Sequence, residues 1–209
     1  MSSFATLIAL AALVSILVSY RAYITTYGAL PFVRWVDICL LALLLGIVCA
    51  RIAHVLLNPA YFAGNLAEAL DPRRGGLHWS GALIGAFFGI FIASRWRKLP
   101  LMHILDALTP ALPLISLAVW TACIGGRCGY GAEIPTLAYI SPLAAAELPD
   151  VYGIVAPRYQ TQLWGQLWSL ALLVLWGILY WRSWLIGKRF WLILSFTLLG
   201  LLLIGIYQG

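Results

Sequence analysis

Long, nearly unbroken apolar runs organise this chain, and strict alternation of apolar and polar residues is absent from them. Six runs stand out, from about Phe4 to Tyr20, Val36 to Leu57, Leu77 to Ser94, Met102 to Ile124, Leu163 to Trp181 and Phe190 to Tyr207. A helix needs about 20 apolar residues to cross a bilayer, so the pattern predicts six spanning helices. The first run is short. No basic residue precedes it and Arg21 follows it, so it is expected to be a retained helix and not a cleaved leader. Pro110 and Pro113 interrupt the fourth run. Broken helices line cavities in some membrane proteins, yet Pro is also common in ordinary spans. Between the fourth and fifth runs, residues 125–160 hold Gly125, Gly126, Gly129, Gly131, Pro135, Pro142, Pro149 and Pro157. A loop this long usually carries function or docks on a surface. No repeat or composition shift divides the chain. The expected fold is an all-α integral membrane protein, one transmembrane domain over 1–209. It is a polytopic bundle of about six transmembrane helices with a long Gly/Pro-containing extracytoplasmic loop between helices 4 and 5.

Composition agrees with the runs. The chain is 63% apolar and 10% charged, with a mean hydropathy of +0.96, whereas soluble domains are about 45–50% apolar and about 25% charged. This excludes a soluble globular or disordered protein. Thirteen Lys and Arg face seven Asp and Glu. The excess reads as a topology signal, so no nucleic-acid partner is expected. Eight basic residues (Arg21, Arg34, Arg95, Arg97, Lys98, Arg182, Lys188, Arg189) fall in odd-numbered loops. Four (Arg73, Arg74, Arg127, Arg158) fall in even-numbered loops with Glu68, Asp71, Glu133, Glu147 and Asp150. The odd loops are therefore expected in the cytoplasm and both termini outside. Six Trp at run ends (Trp35, Trp79, Trp96, Trp181, Trp184, Trp191) read as interfacial anchors.

Charged groups within a span cost about 2.5 kcal/mol or more, and so mark candidate sites. Arg51 and His54 share a face of the second helix, and Asp106 sits early in the fourth. His78 opens the third helix, and His103 lies at the edge of the fourth. Two readings stand for each. Arg51 either snorkels to outer headgroups or binds a ligand; His54 and His78 either pack or carry protons; Asp106 suits a hydrogen bond across the bundle. Cys39 and Cys49 lie in apolar runs and suit packing. Cys123 and Cys128 can form a disulfide in an oxidising compartment, and their spacing is no metal signature. No metal site, phosphate-binding loop, dinucleotide fingerprint or nucleophile elbow is present.

Four segments in series resemble one family. Gly75-Gly76-Leu77-His78-Trp79-Ser80-Gly81-Ala82-Leu83-Ile84-Gly85 is similar to the Gly-Gly…Gly-Gly/Ala-Leu-Ile-Gly segment of bacterial phosphatidylglycerol–prolipoprotein diacylglyceryl transferases. Asp106-Ala107-Leu108-Thr109-Pro110 resembles the family's Asp-Ala-Leu-Ala-Pro. Ala50-Arg51-Ile52-Ala53-His54-Val55 resembles Ala-Arg-Leu-Tyr-His-Val. Pro157-Arg158-Tyr159-Gln160-Thr161-Gln162-Leu163-Trp164 resembles Pro-Arg-His-Pro-Ser/Thr-Gln-Leu-Tyr. Order and spacing agree over about residues 10 to 205. The resemblance implies an all-helical fold of the bacterial plasma membrane with an outside N-terminus, usually of seven spans. It implies transfer of a diacylglyceryl group from phosphatidylglycerol to a lipobox cysteine thiol.

The chain departs from that family's pattern at several polar positions. Aligned on Tyr130-Gly131, the signature Arg falls on Trp120, the Asn on Cys123 and the following acid on Cys128. A His present in many members falls on Ser80, a Glu falls on Gly165, and an Arg-and-Glu face falls on about Leu203 and Tyr207. In such chemistry a buried Arg holds the lipid phosphate, and a His or carboxylate takes the thiol proton, because the thiolate is the nucleophile. The groups that remain for the headgroup are Arg51, Arg127, Arg158, Gln162 and Gly131, with His78 or His54 for the proton. The replaced groups lead to the expectation of a catalytically degenerate relative. It would bind a lipid, quinone or pigment, or serve as an accessory subunit among other membrane proteins. The alternative is an active transferase. A small transporter rests only on the paired prolines. No cofactor is expected beyond a bound phospholipid, and the expected partners are membrane lipids, above all anionic phospholipid.

Overall fold

The computed structural model describes residues 2–64, 76–136, 141–150 and 152–208. The loop charges Glu68, Asp71, Arg73 and Arg74, and the motif residue Gly75, lie outside the described residues. The described chain is mostly helical, and its helices are α1 (Ser2–Tyr27), α2 (Phe32–Leu57), the short α3 (Pro59–Phe62), α4 (Trp79–Arg97), α5 (Leu101–Leu108), α6 (Ala111–Gly126), α7 (Thr161–Trp181) and α8 (Arg189–Gly205). A hairpin of β1 (Ala145–Pro149) and β2 (Val155–Tyr159) stands between α6 and α7. Five helical stretches are long and apolar enough to cross a membrane by length and composition, α5 and α6 counting as one. The sixth, α8, is apolar but has 17 residues. Large side chains on the helices face outward in number, among them Leu13, Leu44, Phe88, Trp181 and Leu202. This is the surface of a polytopic all-α membrane protein, because a helix apolar all round has no polar face to give to water.

Several boundaries move. The first helix runs to Tyr27 and carries Arg21 within it, because nothing breaks it before Gly28, whose φ of +102° ends the turn. The fourth run divides at Thr109–Pro110: Pro110 has no N–H to donate, and Thr109 Oγ1 instead donates to the Asp106 carbonyl at 2.7 Å. The long loop contains the hairpin, which run-length reading misses, since each strand has only five residues. Its register pairs Glu147 with Pro157, and its turn is held by Asp150, whose Oδ1 accepts the N–H groups of Tyr152 and Ile154, each at 2.9 Å.

The chain divides into two compact units, Tyr23–Leu105, and Met1–Ala22 with Asp106–Gly209. In the first, α2 and α4 pack along their length. α2 turns Trp35, Ile38, Cys39, Ala42, Gly46 and Ala50 inward, a helical stripe of mostly small residues. α4 answers with Gly81, Gly85 and Gly89. A Cβ on Gly85 would lie 2.6 Å from Cys49 Cβ, and one on Gly89 2.7 Å from Ala42 Cα. Only glycine permits this approach, and close backbone contact is the main source of helix association where lipid competes equally for apolar surface. Asp37 and Arg97 form an ion pair between the same two helices.

In the second unit α7 packs on α6 and α8. Trp168 Nε1 donates to the Phe196 carbonyl at 2.9 Å, its indole filling the space beside Gly200. Ser169 meets Ser116 at 2.9 Å. Asp106 is buried and pairs with Arg189 at 3.6 Å, and its Oδ1 accepts the Arg189 backbone N–H at 3.1 Å. Arg189 also donates from Nε to the Trp184 carbonyl at 2.8 Å. Its side chain is 3% exposed, so this residue, counted by sequence among the loop charges, is buried at the start of α8. The partner Asp106 makes burial affordable for the guanidinium, whereas an unpaired one would not tolerate it.

Candidate functional site

In the Tyr23–Leu105 unit, three of the expected site residues meet. The last turns of α2 present Arg51 and His54 on one face, three residues apart. α3 folds back so that Phe62 lies beneath them: the Arg51 guanidinium carbon is 5.4 Å from the ring centroid, and the His54 ring meets its edge at 5.9 Å. Arg51 Nη1 donates to the Gly76 carbonyl at 3.1 Å. Gly76 has φ +73°, and a Cβ there would lie 3.0 Å from Arg51 Nη1 and nearer still to the His54 ring. Glycine is thus required at this position for both conformation and room. His78 is anchored by its backbone N–H, which donates to the Ala50 carbonyl at 3.1 Å, so its ring starts α4 beside the end of α2. Its Nδ1 lies 2.7 Å from Ser80 Oγ, and it stacks on Trp79 at 5.8 Å. His54 stands within electrostatic reach of Arg51 and His78. A guanidinium, two imidazoles and a hydroxyl converge where α2 ends and α4 begins. Arg presents a planar fork suited to phosphate, and imidazole accepts and returns a proton near neutral pH.

The remaining expected residues lie in the other unit and form a different arrangement. Arg158, on β2, is held between Glu133 at 3.4 Å and Asp150 at 3.5 Å, over the Tyr130 ring at 5.2 Å. It ties the loop after α6 to the hairpin. Gln162 donates from Nε2 to the carbonyls of Cys128 at 2.7 Å and Cys123 at 3.2 Å. Those two cysteines are disulfide-bonded, with Cα atoms 4.6 Å apart. Arg127 ends α6 at φ +52°, its guanidinium against Gly153, where a Cβ would come within 2.7 Å of Nη1. Gly131 sits so close to Tyr159 that a Cβ would fall 2.6 Å from that residue's own Cβ. Asp106 is engaged by Arg189, as described. His103 stacks on Tyr27 at 4.1 Å, apart from any site role.

Two pairs of positions at which the resemblance expects polar groups are neighbours within the second unit: Trp120 with Gly165, and Cys123 with Cys128. Trp120, where the signature Arg falls, is buried, and its indole occupies the space beside Gly165, where a Glu falls. A Cβ on Gly165 would meet the indole nitrogen at 2.5 Å. The ring also approaches Gly129, at 3.1 Å from a Cβ there. Cys123 and Cys128 pair with each other, and Tyr207 packs on Tyr159 at 5.1 Å and on Trp164 at 5.4 Å. The replacements are therefore mutually accommodated: a large ring fills the room a missing side chain leaves. Sequence reading named these positions without their contact. It missed Phe62, Gly76, Glu133 and Asp150 as partners. For Glu133 and Asp150, the presence of two acids beside Arg158 in one loop was a usable signal. Phe62 lies in a four-residue helix too short to show periodicity.

Comparison with known proteins agrees with the fold. The family model described as prolipoprotein diacylglyceryl transferase matches residues 1–206. Relatives named phosphatidylglycerol–prolipoprotein diacylglyceryl transferase include the following three. The Clostridium novyi protein is 27% identical over 172 residues, 82% of this chain and 66% of its own. That of Parasynechococcus marenigrum is 29% identical over 150 residues, 70% of this chain and 53% of its own. That of Thermus thermophilus is 38% identical over 88 residues, 42% of this chain and 29% of its own. The chain thus spans at most about two thirds of the length of these relatives. With a match over nearly its whole length, a helical membrane fold and the motif residues in register, the chain belongs to the prolipoprotein diacylglyceryl transferase family.

Proposed function

We propose that this chain is a diacylglyceryl transferase of the bacterial plasma membrane, using phosphatidylglycerol as donor and a lipoprotein cysteine thiol as acceptor. The observation that carries this reading is the meeting of Arg51, His54 and His78 at one end of the α2–α4 pair. The names of its relatives support it. In the reaction, the thiol gives its proton to an imidazole, His78 or His54. The thiolate then attacks the diacylglyceryl carbon that bears the phosphate ester. The carbon–oxygen bond breaks, and glycerol phosphate leaves with the electron pair. Arg51 holds the phosphate, stabilising charge as it develops. We assign Arg158 and Gln162 to shaping the loop after α6, through the Arg158 ion pairs and the Gln162 hydrogen bonds, with Arg127 packed against Gly153 and Gly131 against Tyr159. No cofactor takes part other than the phospholipid itself.

The test combines membranes containing this chain with phosphatidylglycerol and a lipobox peptide, and measures thioether-linked product by mass spectrometry. Product above an empty-membrane control is expected, and Arg51→Ala should lower the rate about 100-fold or more, as loss of one stabilising donor does elsewhere. Absence of product from the intact chain would refute the transfer reading. A second reading is favoured by one observation, the packing of Trp120 beside Gly165 and of the disulfide beside Gln162. On it, the chain keeps the fold and binds a lipid, quinone or pigment, or serves as an accessory subunit. It predicts no transfer and stable co-purification with partner membrane proteins in mild detergent. Both readings share the proposed topology, with both termini outside. A C-terminal reporter active only in the cytoplasm would refute that topology.

A further inference from the structure

The far end of α4 holds a feature that the transfer chemistry leaves unused. The helix closes with Arg95 and Arg97 and is followed by Lys98. Arg97 is neutralised by Asp37 and stacks on Trp96 at 4.2 Å. Arg95 and Lys98 are exposed, and among the described residues neither meets a carboxylate. They border a cavity of about 500 Å³ whose lining includes Phe91, Ser94, Pro100 and Leu101. Arg95 lies 5.3 Å above the Phe91 ring.

Below the cavity, Ile84, Phe88 and Phe91 are exposed at 56%, 56% and 38%. Their spacing of four and three residues continues through Arg95 to Lys98, so apolar stripe and cations share one face of the helix. This end lies 17 residues from His78, about 26 Å at 1.5 Å per residue, and is thus separate from the Arg51 cluster.

Lys98 adds an independent observation. It occupies the left-handed region at φ +55°, the position after the helix where Gly is usual; its N–H meets the Arg95 carbonyl at 3.4 Å and that of Leu99 the Ser94 carbonyl at 3.0 Å. A side chain in that conformation is disfavoured relative to Gly, and residues held so are concentrated where they have a use.

We propose that this end of α4 binds one anionic phospholipid, its phosphate between Arg95 and Lys98 and an acyl chain along Phe91, Phe88 and Ile84. The phosphate accepts from the guanidinium and the ammonium. The cavity size suits a headgroup, and the stripe supplies a dry wall for the tail. The binding is independent of transfer, since it requires a phosphate and a tail but no leaving group.

The test uses the full chain purified in mild detergent, with phosphatidic acid as probe, which carries no glycerol leaving group. Retained lipid is counted by native mass spectrometry, with phosphatidylcholine as comparison. Each surface cation contributes about fivefold to anionic-lipid binding, so Arg95→Gln/Lys98→Gly should weaken retention about 30-fold. Arg182→Gln, which removes an exposed cation outside this site, should leave it unchanged. Lys98→Gly relieves the backbone, so a thermal midpoint at or above that of the parent shows that the loss is not misfolding. Equal retention in the double variant, an equal loss in Arg182→Gln, or no preference over phosphatidylcholine would overturn the site. Displacement by inorganic phosphate at millimolar concentration would overturn the lipid assignment and identify a site for free anion.

Discussion

Trp120 and Gly165 should behave as one energetic unit. In Gly165→Ala, the new methyl meets the indole nitrogen at 2.5 Å, well inside van der Waals contact, so α6 or the ring must shift. Overpacking of this kind costs about 1–3 kcal/mol. In Trp120→Ala, a ring that is only 7% exposed is removed, leaving a cavity beside Gly165 at a cost of about 3–5 kcal/mol. In the double variant the methyl enters the emptied space. The alanine at 165 should then cost nothing further, so the double variant should be more stable than the sum of the singles by about 1–3 kcal/mol. The assay is a double-mutant cycle on thermal midpoints of the purified chain in detergent. Additive shifts would refute the packing, since they would mean that the indole does not occupy the space beside Gly165. The same cycle bears on function: polar groups at both positions, Trp120→Arg with Gly165→Glu, should be tolerated together better than either alone, because opposite charges replace ring and gap.

The Asp106–Arg189 pair offers a second stability test. Asp106→Ala leaves a guanidinium that is 3% exposed without its carboxylate, and should cost about 3–5 kcal/mol. Asp106→Leu with Arg189→Met, an apolar pair of similar volume, should recover most of that loss, as the midpoint of thermal unfolding would show. If Asp106→Ala alone leaves the midpoint unchanged, the pair is not buried as described.

How much of this was legible beforehand depends on which physical term decides. The membrane character and five of the six expected spans follow from hydrophobicity alone, because burying backbone in lipid forces helices of a set length; the sixth run forms a helix of 17 residues. Arg51, His54 and His78 were legible as candidates, because charge in an apolar run is costly. That Asp106 would find a partner was expected, and that Arg189 is the partner was not: the two are 83 residues apart, and Arg189 sits at the edge of a charged loop that reads as solvated. The hairpin was invisible because its strands are too short to show a period. Its order rests on Asp150, Arg158 and Glu133 meeting in space.

By itself, then, the sequence determined where the apolar helices run and which residues are too costly in lipid to be incidental. The tertiary structure decided which of those residues meet. It brings Arg51, His54 and His78 together through a backbone bond from His78 to Ala50 and a glycine at position 76 that leaves room. It sets Trp120 beside Gly165, turning a list of missing polar groups into one fitted contact. Segment identity is a local property of solvation. Contact depends on close packing between helices distant in sequence, where a single Cβ determines what fits.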